Sequence, residues 1–287
     1  GRAPGTGNSP QKDRGTEKTR EVSRCKPHKW HVQIAGSGPL ILMIHGAGGA
    51  TQSWRHLFPL LAMKHQVVAI DLPGQGFTKL GAAERCGLRE MTKDIALLCN
   101  AEGWRPKAII GHSAGAAIAL SLCQQPAFSG TKIIGINAAL DTFKGVAGLM
   151  FPVMAKTLAM MPFVAETFAA SAKRGPVVER LIAGTGSTLA PDDLTYYRAL
   201  IQDAGHADAT LKMIAQWDLT ALISQLPNIP NDTFLLAGQG DLMVPPDVSK
   251  TAAAKLPNGQ FQMLPDLGHL AHEEAPERVF AAISSQL

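Results

Sequence analysis

Residues 108–115 have the sequence Ala-Ile-Ile-Gly-His-Ser-Ala-Gly, and this stretch decides the fold. The apolar residues Ala108 to Ile110 favour a β-strand, and the alanine-rich run from Ala114 favours a helix. A strand followed by Gly-x-Ser-x-Gly and a helix is typical of a nucleophile elbow, a tight turn that lifts the serine hydroxyl above the edge of a sheet. The pattern therefore predicts Ser113 as a nucleophile, with an ordinary glycine-rich turn as the alternative.

A second glycine-rich loop lies upstream of this stretch. Leu40 to Ile44 form a continuous apolar run, typical of a strand buried on both faces of a parallel sheet, and His45-Gly46-Ala47-Gly48-Gly49 follows it. Glycines allow a backbone to approach a substrate oxygen closely. We expect the N–H groups of Ala47 and Ala114 to form an oxyanion hole, and a tight turn without chemistry is the alternative for this loop.

Candidate partners for Ser113 follow two strands in the C-terminal part of the chain. The candidate strand 234–237 is followed by Asp241, and the candidate strand 260–264 is followed by His269. The chain order serine, aspartate, histidine is that of α/β-hydrolases and differs from the orders in chymotrypsin and subtilisin. In such a triad His269 takes the proton from Ser113, and Asp241 orients the imidazole. The carboxyl ends of parallel strands meet at one edge of a sheet, so we expect the three side chains to converge there.

Other polar residues near these motifs leave alternatives open. Asp141 follows the preceding strand and competes with Asp241 as the acid. Asp266 also competes, although it is too near His269 in sequence to face the far ring nitrogen easily. Three further histidines lie near the motifs, and we expect them to order loops rather than to do chemistry: His45, His112 and His272.

Strand and helix patterns alternate along most of the chain. A hairpin is predicted over 22–26 and 29–36, turned by Pro27 and His28. The strand signal stops at about residue 141 and resumes after about 220, with apolar residues at helical spacing between. The sequence thus predicts an α/β fold with a mostly parallel twisted sheet flanked by helices. A helical cap, residues 141–220, is inserted after the sixth strand of a core formed by 21–140 and 221–287.

Charge and composition restrict the function classes. The net charge is +4, but residues 1–29 carry eight basic and three acidic side chains, or +5, so the rest is about −1. We therefore expect no nucleic-acid surface, and residues 1–20 are predicted to be a flexible polar tail. The charge of the tail suits an acidic membrane surface or partner, although a solvated leader is the simpler interpretation.

Cysteine spacing and hydropathy bear on location and cofactors. The four cysteines, at 25, 86, 99 and 123, are widely spaced and favour reduced thiols in a cytoplasmic protein. No apolar run has the length of a transmembrane segment. The sequence lacks metal-ligand spacing, a P-loop lysine and a dinucleotide fingerprint, so we expect neither a metal nor a cofactor.

Over about 29–287 the chain resembles the α/β-hydrolase superfamily. The resemblance implies an α/β-hydrolase fold and serine hydrolase chemistry at the predicted triad. It is carried by five segments: His45–Gly49, Asp71–Thr78, Gly111–Gly115, Gly240–Asp241 and Gly268–Glu274. Ala116 departs from the commonest superfamily elbow, where a second glycine often follows.

A closer resemblance is to the BchO family of magnesium-chelatase accessory proteins of bacteriochlorophyll biosynthesis. Several of its segments lie in the predicted cap, where superfamily members normally diverge. The resemblance implies a role near magnesium insertion into protoporphyrin, with magnesium chelatase as a partner. The segments are Trp30–Gln33, Gly111–Ala119, Gly135–Leu140, Leu181–Ser187 and Gln216–Leu219.

Two functional hypotheses follow. The first is a serine hydrolase acting on an ester or acyl bond of an apolar substrate of the porphyrin type. The second is a non-catalytic protein that keeps the fold and binds a tetrapyrrole or assists the chelatase. Polarizable side chains suited to a flat apolar ligand are dense in the predicted cap, although packing between cap helices explains them equally. They are Met150, Met154, Met160, Met161, Met213, Phe143, Phe151, Phe163, Phe168, Tyr196, Tyr197 and Trp217.

Overall fold

The computed structural model describes residues 19–141, 161, 163–171 and 176–287. Its strands form a single eight-stranded sheet in the order β1-β2-β4-β3-β5-β6-β7-β8. Strand β2 runs antiparallel to both of its neighbours, and β3 to β8 are mutually parallel. The strands are β1 (Thr19–Ser23), β2 (Trp30–Ala35), β3 (Leu40–Ile44), β4 (Gln66–Ile70), β5 (Ala108–His112), β6 (Lys132–Ile136), β7 (Thr233–Gly238) and β8 (Gly259–Leu264).

The described residues also form α-helices, and several of these cover the two faces of the sheet. They are α1 (Leu57–Ala62), α2 (Leu88–Ala101), α3 (Ala114–Leu122), α4 (Val164–Ser171), α5 (Val177–Gly184), α6 (Pro191–Ile201), α7 (Ala204–Gln216), α8 (Thr220–Gln225), α9 (Pro246–Lys255), α10 (Ala271–Glu274) and α11 (Pro276–Ser284). In the described part of the chain, no helix combines the length and hydropathy that crossing a membrane requires.

The central strand β3 shows why the sheet needs two helical layers. Leu42 and Ile44 pack with α2 and α3 on one face, whereas Ile41 and Met43 pack with α1 and α11 on the other. All five residues of β3 are buried. The continuous apolar run is thus a strand covered on both sides, as predicted, and the predicted α/β fold with its mostly parallel sheet is confirmed.

The N-terminal hairpin is present, but its predicted first strand was wrong. Strand β1 spans Thr19–Ser23 rather than 22–26, and Ser23 pairs with Trp30. Residues 24–29 form the turn, where the indole N–H of Trp30 donates to the carbonyl of Cys25 at 3.1 Å. This wide turn uses residues that the alternation pattern had assigned to the strand. Two residues assigned to the polar tail, Thr19 and Arg20, therefore belong to β1.

Helices α4 to α7 follow β6 and precede β7, where the cap was predicted. Helix α6 begins at Pro191, as expected from a proline and two acids in its first turn. Helix α7 begins at Ala204, within the stretch where apolar residues recur at helical spacing. The Asp203 carboxylate caps it by accepting the amides of Gly205 and His206 at 2.8 and 3.1 Å, which favours a helix start at this position.

Candidate active site

Ser113 lies in the turn between β5 and α3, with φ 51° and ψ −116°. A positive φ is costly for serine, and the surrounding backbone holds it there. The Ser113 amide donates to the carbonyl of Ile136 at 2.9 Å, and its carbonyl accepts from the amide of Ala139 at 3.2 Å. The side chain remains partly exposed at the edge of the sheet. This is the strained strand–turn–helix geometry expected of a nucleophile elbow.

Close backbone packing explains the glycines around the elbow. A Cβ on Gly115 would lie 2.1 Å from the carbonyl oxygen of Ile44, so α3 sits directly against the end of β3. A Cβ on Gly46 would lie 3.0 Å from the Cβ of Ser113. The His45–Gly49 loop is therefore in contact with the candidate nucleophile.

The structure brings Asp241 and His269 together. His269 Nδ1 and Asp241 Oδ2 are 2.7 Å apart, and both side chains are buried. The other carboxylate oxygen accepts the amides of Met243 and Val244 at 2.8 Å each. Burial alone would raise the pKa of Asp241, but His269, the Val244 amide and a neighbouring amide side chain lower it below its usual value. The carboxylate is thus held ionised beside the imidazole.

The link from His269 to Ser113 is not a hydrogen bond in this structure. Among the described residues, the Ser113 hydroxyl has no hydrogen-bond partner. Ser113 and His269 nevertheless lie on neighbouring backbone segments. His112, which precedes Ser113, donates from Nε2 to the carbonyl of His269 at 2.9 Å. Asp141 and Asp266 are exposed, while Nδ1 of the imidazole faces Asp241.

The two candidate oxyanion donors differ in exposure. Ala114 is the buried first residue of α3, and Ala47 is exposed in the loop after β3. Across the described ranges, neither backbone N–H donates to a protein acceptor, so both remain available to a substrate oxygen. The loop itself is fixed, since the Gly48 amide donates to the side chain of Gln75 at 2.8 Å and its carbonyl accepts from His206 at 3.1 Å.

Asn137 belongs to the site, although the sequence patterns did not predict a role for it there. It follows β6 with φ 49° and is fully buried. Its Nδ2 donates to Asp241 Oδ2 at 2.7 Å and to the carbonyl of Gly268 at 3.2 Å. It thus braces both the acid and the loop of the base. An asparagine directly after a buried strand was the available signal, because asparagine tolerates positive φ better than most residues.

The neighbouring histidines order loops, as predicted. His45 donates from Nδ1 to the carbonyl of Gly46 at 2.7 Å and accepts the Leu72 amide at Nε2 at 2.9 Å. Burial lowers the pKa of His45 to about 4 and that of His112 to about 3, the latter helped by the nearby His269. His272 shares a 2.8 Å hydrogen bond with Ser53. These imidazoles are neutral at physiological pH.

A buried charged cluster joins helix α6 of the cap region to the core. Arg55 binds Asp193 of α6 at 2.8 Å and Glu273 at 2.5 Å. The Tyr197 hydroxyl, also on α6, donates to the Glu273 carboxylate, and Ser53 donates to it at 2.7 Å. Glu273 is fully enclosed, so this cluster fixes α6 above the core.

The side chains predicted to line the cap have mixed positions. Met213 is buried against the amide of Gln75, and Trp217 packs partly buried on the core. Tyr197 is buried and hydrogen-bonded to Glu273, whereas Tyr196 and Phe163 are exposed. Met161 is exposed as well. The remaining members lie outside the described residues, or outside those whose side chains are described. In the part of the chain that the structure covers, no group of three or more possible metal ligands occurs.

Comparison with known proteins decides the family. A family model described as the alpha/beta hydrolase fold matches residues 39–276. The chain belongs to the α/β-hydrolase fold family. The predicted superfamily and fold are therefore confirmed, and the elbow, the Asp241–His269 pair and the glycine loop after β3 all lie within the matched range.

The chain is similar to the magnesium-chelatase 30 kDa subunit of Rhodobacter capsulatus. It is 43% identical over 88% of this chain and 89% of that protein. Among solved structures, a thermophilic esterase from Thermogutta terrifontis is similar, with a TM-score of 0.68 and 24% identity over 94% of this chain and 97% of that one. An esterase from Exiguobacterium antarcticum has a TM-score of 0.76 and 17% identity over 94% and 99%. At these identities the structures support the fold alone.

Proposed function

We propose that this chain is a serine hydrolase that acts on an ester or acyl bond of an apolar substrate in bacteriochlorophyll biosynthesis. The observation that carries the proposal is the buried 2.7 Å contact between His269 and Asp241 beside a serine held at positive φ. A carboxylate that is kept ionised against one nitrogen of an imidazole leaves the other nitrogen free to act as a base. That arrangement is the one that activates a serine hydroxyl.

The reaction would proceed in two displacements. Ser113 Oγ attacks the substrate carbonyl while its proton passes to Nε2 of His269, and the N–H groups of Ala47 and Ala114 bind the resulting oxyanion. The imidazolium returns that proton to the leaving alcohol as the carbon–oxygen bond breaks, which leaves an acyl-serine. Water then attacks the acyl carbon while one of its protons passes to His269. The imidazolium gives that proton to Ser113 Oγ as the acyl carbon–oxygen bond breaks, which releases the acid and restores Ser113. Asp241 keeps its negative charge throughout and stabilises the imidazolium.

A tetrapyrrole ester is the substrate class we favour. The relative named as a magnesium-chelatase subunit supports a role near porphyrin metallation, and its high coverage argues that the likeness extends across the whole fold. Two exposed apolar side chains, Leu242 and Met243, directly follow Asp241. They give the rim beside the acid an apolar character that suits a flat, poorly hydrated ligand.

Hydrolysis of p-nitrophenyl esters tests the catalytic part of the proposal. We expect turnover of the butyrate and octanoate esters by the wild-type chain and a loss of about a thousandfold or more in kcat for Ser113→Ala. Ser121→Ala is the matched control, because Ser121 lies in α3 outside the turn, and it should keep full activity. Equal rates for the wild-type chain and Ser113→Ala would contradict the proposal.

A titration tests the substrate class separately. Protoporphyrin and its magnesium complex are added to the Ser113→Ala variant, and Soret absorbance reports binding. We expect dissociation constants below about 100 µM, which corresponds to binding more favourable than about −5.5 kcal/mol. Weaker binding of both compounds would remove tetrapyrroles from the proposal and leave the hydrolase chemistry standing.

The second candidate is a non-catalytic protein that assists magnesium chelatase. Two observations favour it: the 43% identical relative is named as a chelatase subunit, and the Ser113 hydroxyl lacks a hydrogen bond to His269 in this structure. Complementation separates the candidates. A Ser113→Ala protein that restores full bacteriochlorophyll formation in a strain lacking the wild-type gene supports assistance without catalysis, whereas failure of a folded variant supports the hydrolase.

A further inference from the structure

One carbonyl group in the cap region holds both loops of the acid–base pair. Residues Thr185–Thr188 form a turn that follows α5, and the carbonyl of Thr185 accepts the backbone amide of His269 at 3.1 Å. The same carbonyl accepts the amide of Leu242, the residue after Asp241, at 3.3 Å. The relative position of acid and base therefore depends on a turn from another part of the fold.

The residues on either side of the base are held by the same turn. Ser187 Oγ accepts the amide of Leu270 at 2.8 Å and donates to Glu274 Oε2 at 2.8 Å. That carboxylate also accepts the amide of Gly268 at 2.7 Å and the amide of Thr188 at 2.9 Å. Three consecutive amides of the histidine loop are thus bound by the turn or by the glutamate attached to it.

The contact leaves no space between the two backbones. Gly186 has φ 78°, and a Cβ at this position would lie 2.0 Å from the carbonyl oxygen of Gly240. A Cβ on Gly268 would lie 2.4 Å from the carbonyl carbon of Gly186. The turn is therefore packed directly on the acid loop and the base loop, where a small displacement of one displaces the others.

We propose that the Thr185–Thr188 turn is a positioning element for His269 and Asp241, with Ser187 and Glu274 as the side chains that lock it in place. The proposal rests on the proposed function in taking these two residues as the acid–base pair. It makes the cap region a working part of the active site, because the pair is aligned with Ser113 only while the turn is seated. Loosening the turn slows the chemistry and leaves substrate binding nearly unchanged.

Four substitutions isolate this role. Ser187→Ala removes the hydroxyl between Leu270 and Glu274, and Glu274→Gln replaces a carboxylate that accepts three hydrogen bonds. Ser187→Thr keeps the hydroxyl and is the conservative rescue. Thr188→Ala is the matched control on the same turn, because Thr188 is exposed and contributes its backbone amide to these contacts.

The first measurement is steady-state hydrolysis of p-nitrophenyl butyrate. Ser187→Ala and Glu274→Gln should lower kcat about tenfold or more with KM within about twofold of wild type, since misplacement of catalytic groups costs rate rather than binding. Ser187→Thr and Thr188→Ala should stay close to wild type. Unchanged kcat in both Ser187→Ala and Glu274→Gln, in an active wild-type background, overturns the proposal.

The second measurement needs no enzymatic activity and separates this proposal from the proposed function. Amide hydrogen exchange is followed in the peptide that contains residues 265–275. Exchange at Gly268, His269 and Leu270 should rise about tenfold or more in Ser187→Ala and Glu274→Gln but not in Thr188→Ala. If the wild-type chain hydrolyses no ester but exchange rises as expected, the proposed function fails and the positioning role stands. Unchanged exchange overturns the positioning role in either case.

Discussion

Nδ2 of Asn137 donates a 2.7 Å hydrogen bond to the carboxylate oxygen of Asp241 that also faces His269. Two donors therefore converge on one oxygen, while the backbone amides of Met243 and Val244 bind the other. The carboxylate has little freedom to rotate. Asn137, at the end of β6, therefore orients the carboxylate toward the imidazole together with the amides of the loop that carries Asp241.

Removing this brace should slow the chemistry. Asn137→Gly keeps the positive φ without strain and deletes only the amide, whereas Asn137→Ala adds strain in the left-handed region. A hydrogen bond to a charged group contributes about 1.5–3 kcal/mol, so we expect a loss of about 10- to 100-fold in kcat for Asn137→Gly with p-nitrophenyl butyrate. Thermal unfolding serves as the folding control. Wild-type kcat in a folded Asn137→Gly protein would contradict this role.

The buried cluster around Glu273 should dominate the stability of the cap–core junction. Arg55→Met leaves the fully buried Glu273 carboxylate without its cationic partner, and breaking such a pair costs about 3–5 kcal/mol. Burial already raises the pKa of Glu273, so the variant protein should take up a proton there. Urea unfolding measures the loss. Adding Glu273→Gln to Arg55→Met should recover part of it, and a loss below about 1 kcal/mol in the single variant contradicts the account.

Two glycines in helical segments should respond in opposite ways to alanine. Gly115→Ala places a methyl group 2.1 Å from the carbonyl oxygen of Ile44, so α3 must move away from β3. We expect loss of folding or a destabilisation of about 3 kcal/mol or more. At Gly184, the last residue of α5, the added methyl group would meet no atom of the described residues within 4 Å beyond its chain neighbours and its own helix backbone. Gly184→Ala should therefore be neutral or stabilising by up to about 1 kcal/mol. Similar unfolding midpoints for both variants would refute the close packing of the elbow.

Because several buried histidines are neutral in the folded chain, we predict that the free energy of unfolding decreases as the pH is lowered. The pKa values of His45 (about 4), His112 (about 3), His206 and His272 are all lowered, with burial as the main cause. Below about pH 6.5 the unfolded chain binds protons that the folded chain does not, so each histidine costs up to about 1.4 kcal/mol per pH unit. For His45 the loss between about pH 6.5 and 4 is about 3 kcal/mol.

Urea unfolding at several values between about pH 7.5 and 4.5 checks this dependence. The free energy of unfolding should be nearly constant above about pH 7 and should decrease steeply as the pH is lowered from there. His45→Gln is the matched variant, because it removes one titrating group and should reduce the slope by about one proton. Stability that is flat across the whole range, or that rises toward acid, would contradict the neutral assignments.

The sequence predicted the features that depend on local pattern. The apolar run of β3, the strand–turn–helix around Ser113 and the polar ends of β7 and β8 were sufficient for the sheet and for the pairing of Asp241 with His269. Parallel strands bring their carboxyl ends together whatever fills the intervening chain. The first strand of the hairpin was misplaced because the register depends on how many residues the turn uses.

The contacts that hold the site were not predicted, because they join residues far apart in the sequence. Ser187 and Glu274 are 87 positions apart, and Asn137 and Asp241 are 104 apart. No spacing rule connects such pairs. The sequence segment that contains Ser187 was noticed only as a likeness to a family, and its position against the histidine loop is a property of the folded chain.

The central claim is that Ser113 is a nucleophile activated by His269 and Asp241. Its most direct test is the reaction of the purified chain with a fluorophosphonate, followed by intact mass and peptide mapping. We expect one adduct per chain, located on Ser113, absent in Ser113→Ala and slowed about a hundredfold or more in His269→Ala. A folded wild-type chain that forms no adduct at Ser113, or that reacts equally fast without the imidazole of residue 269, would contradict the account.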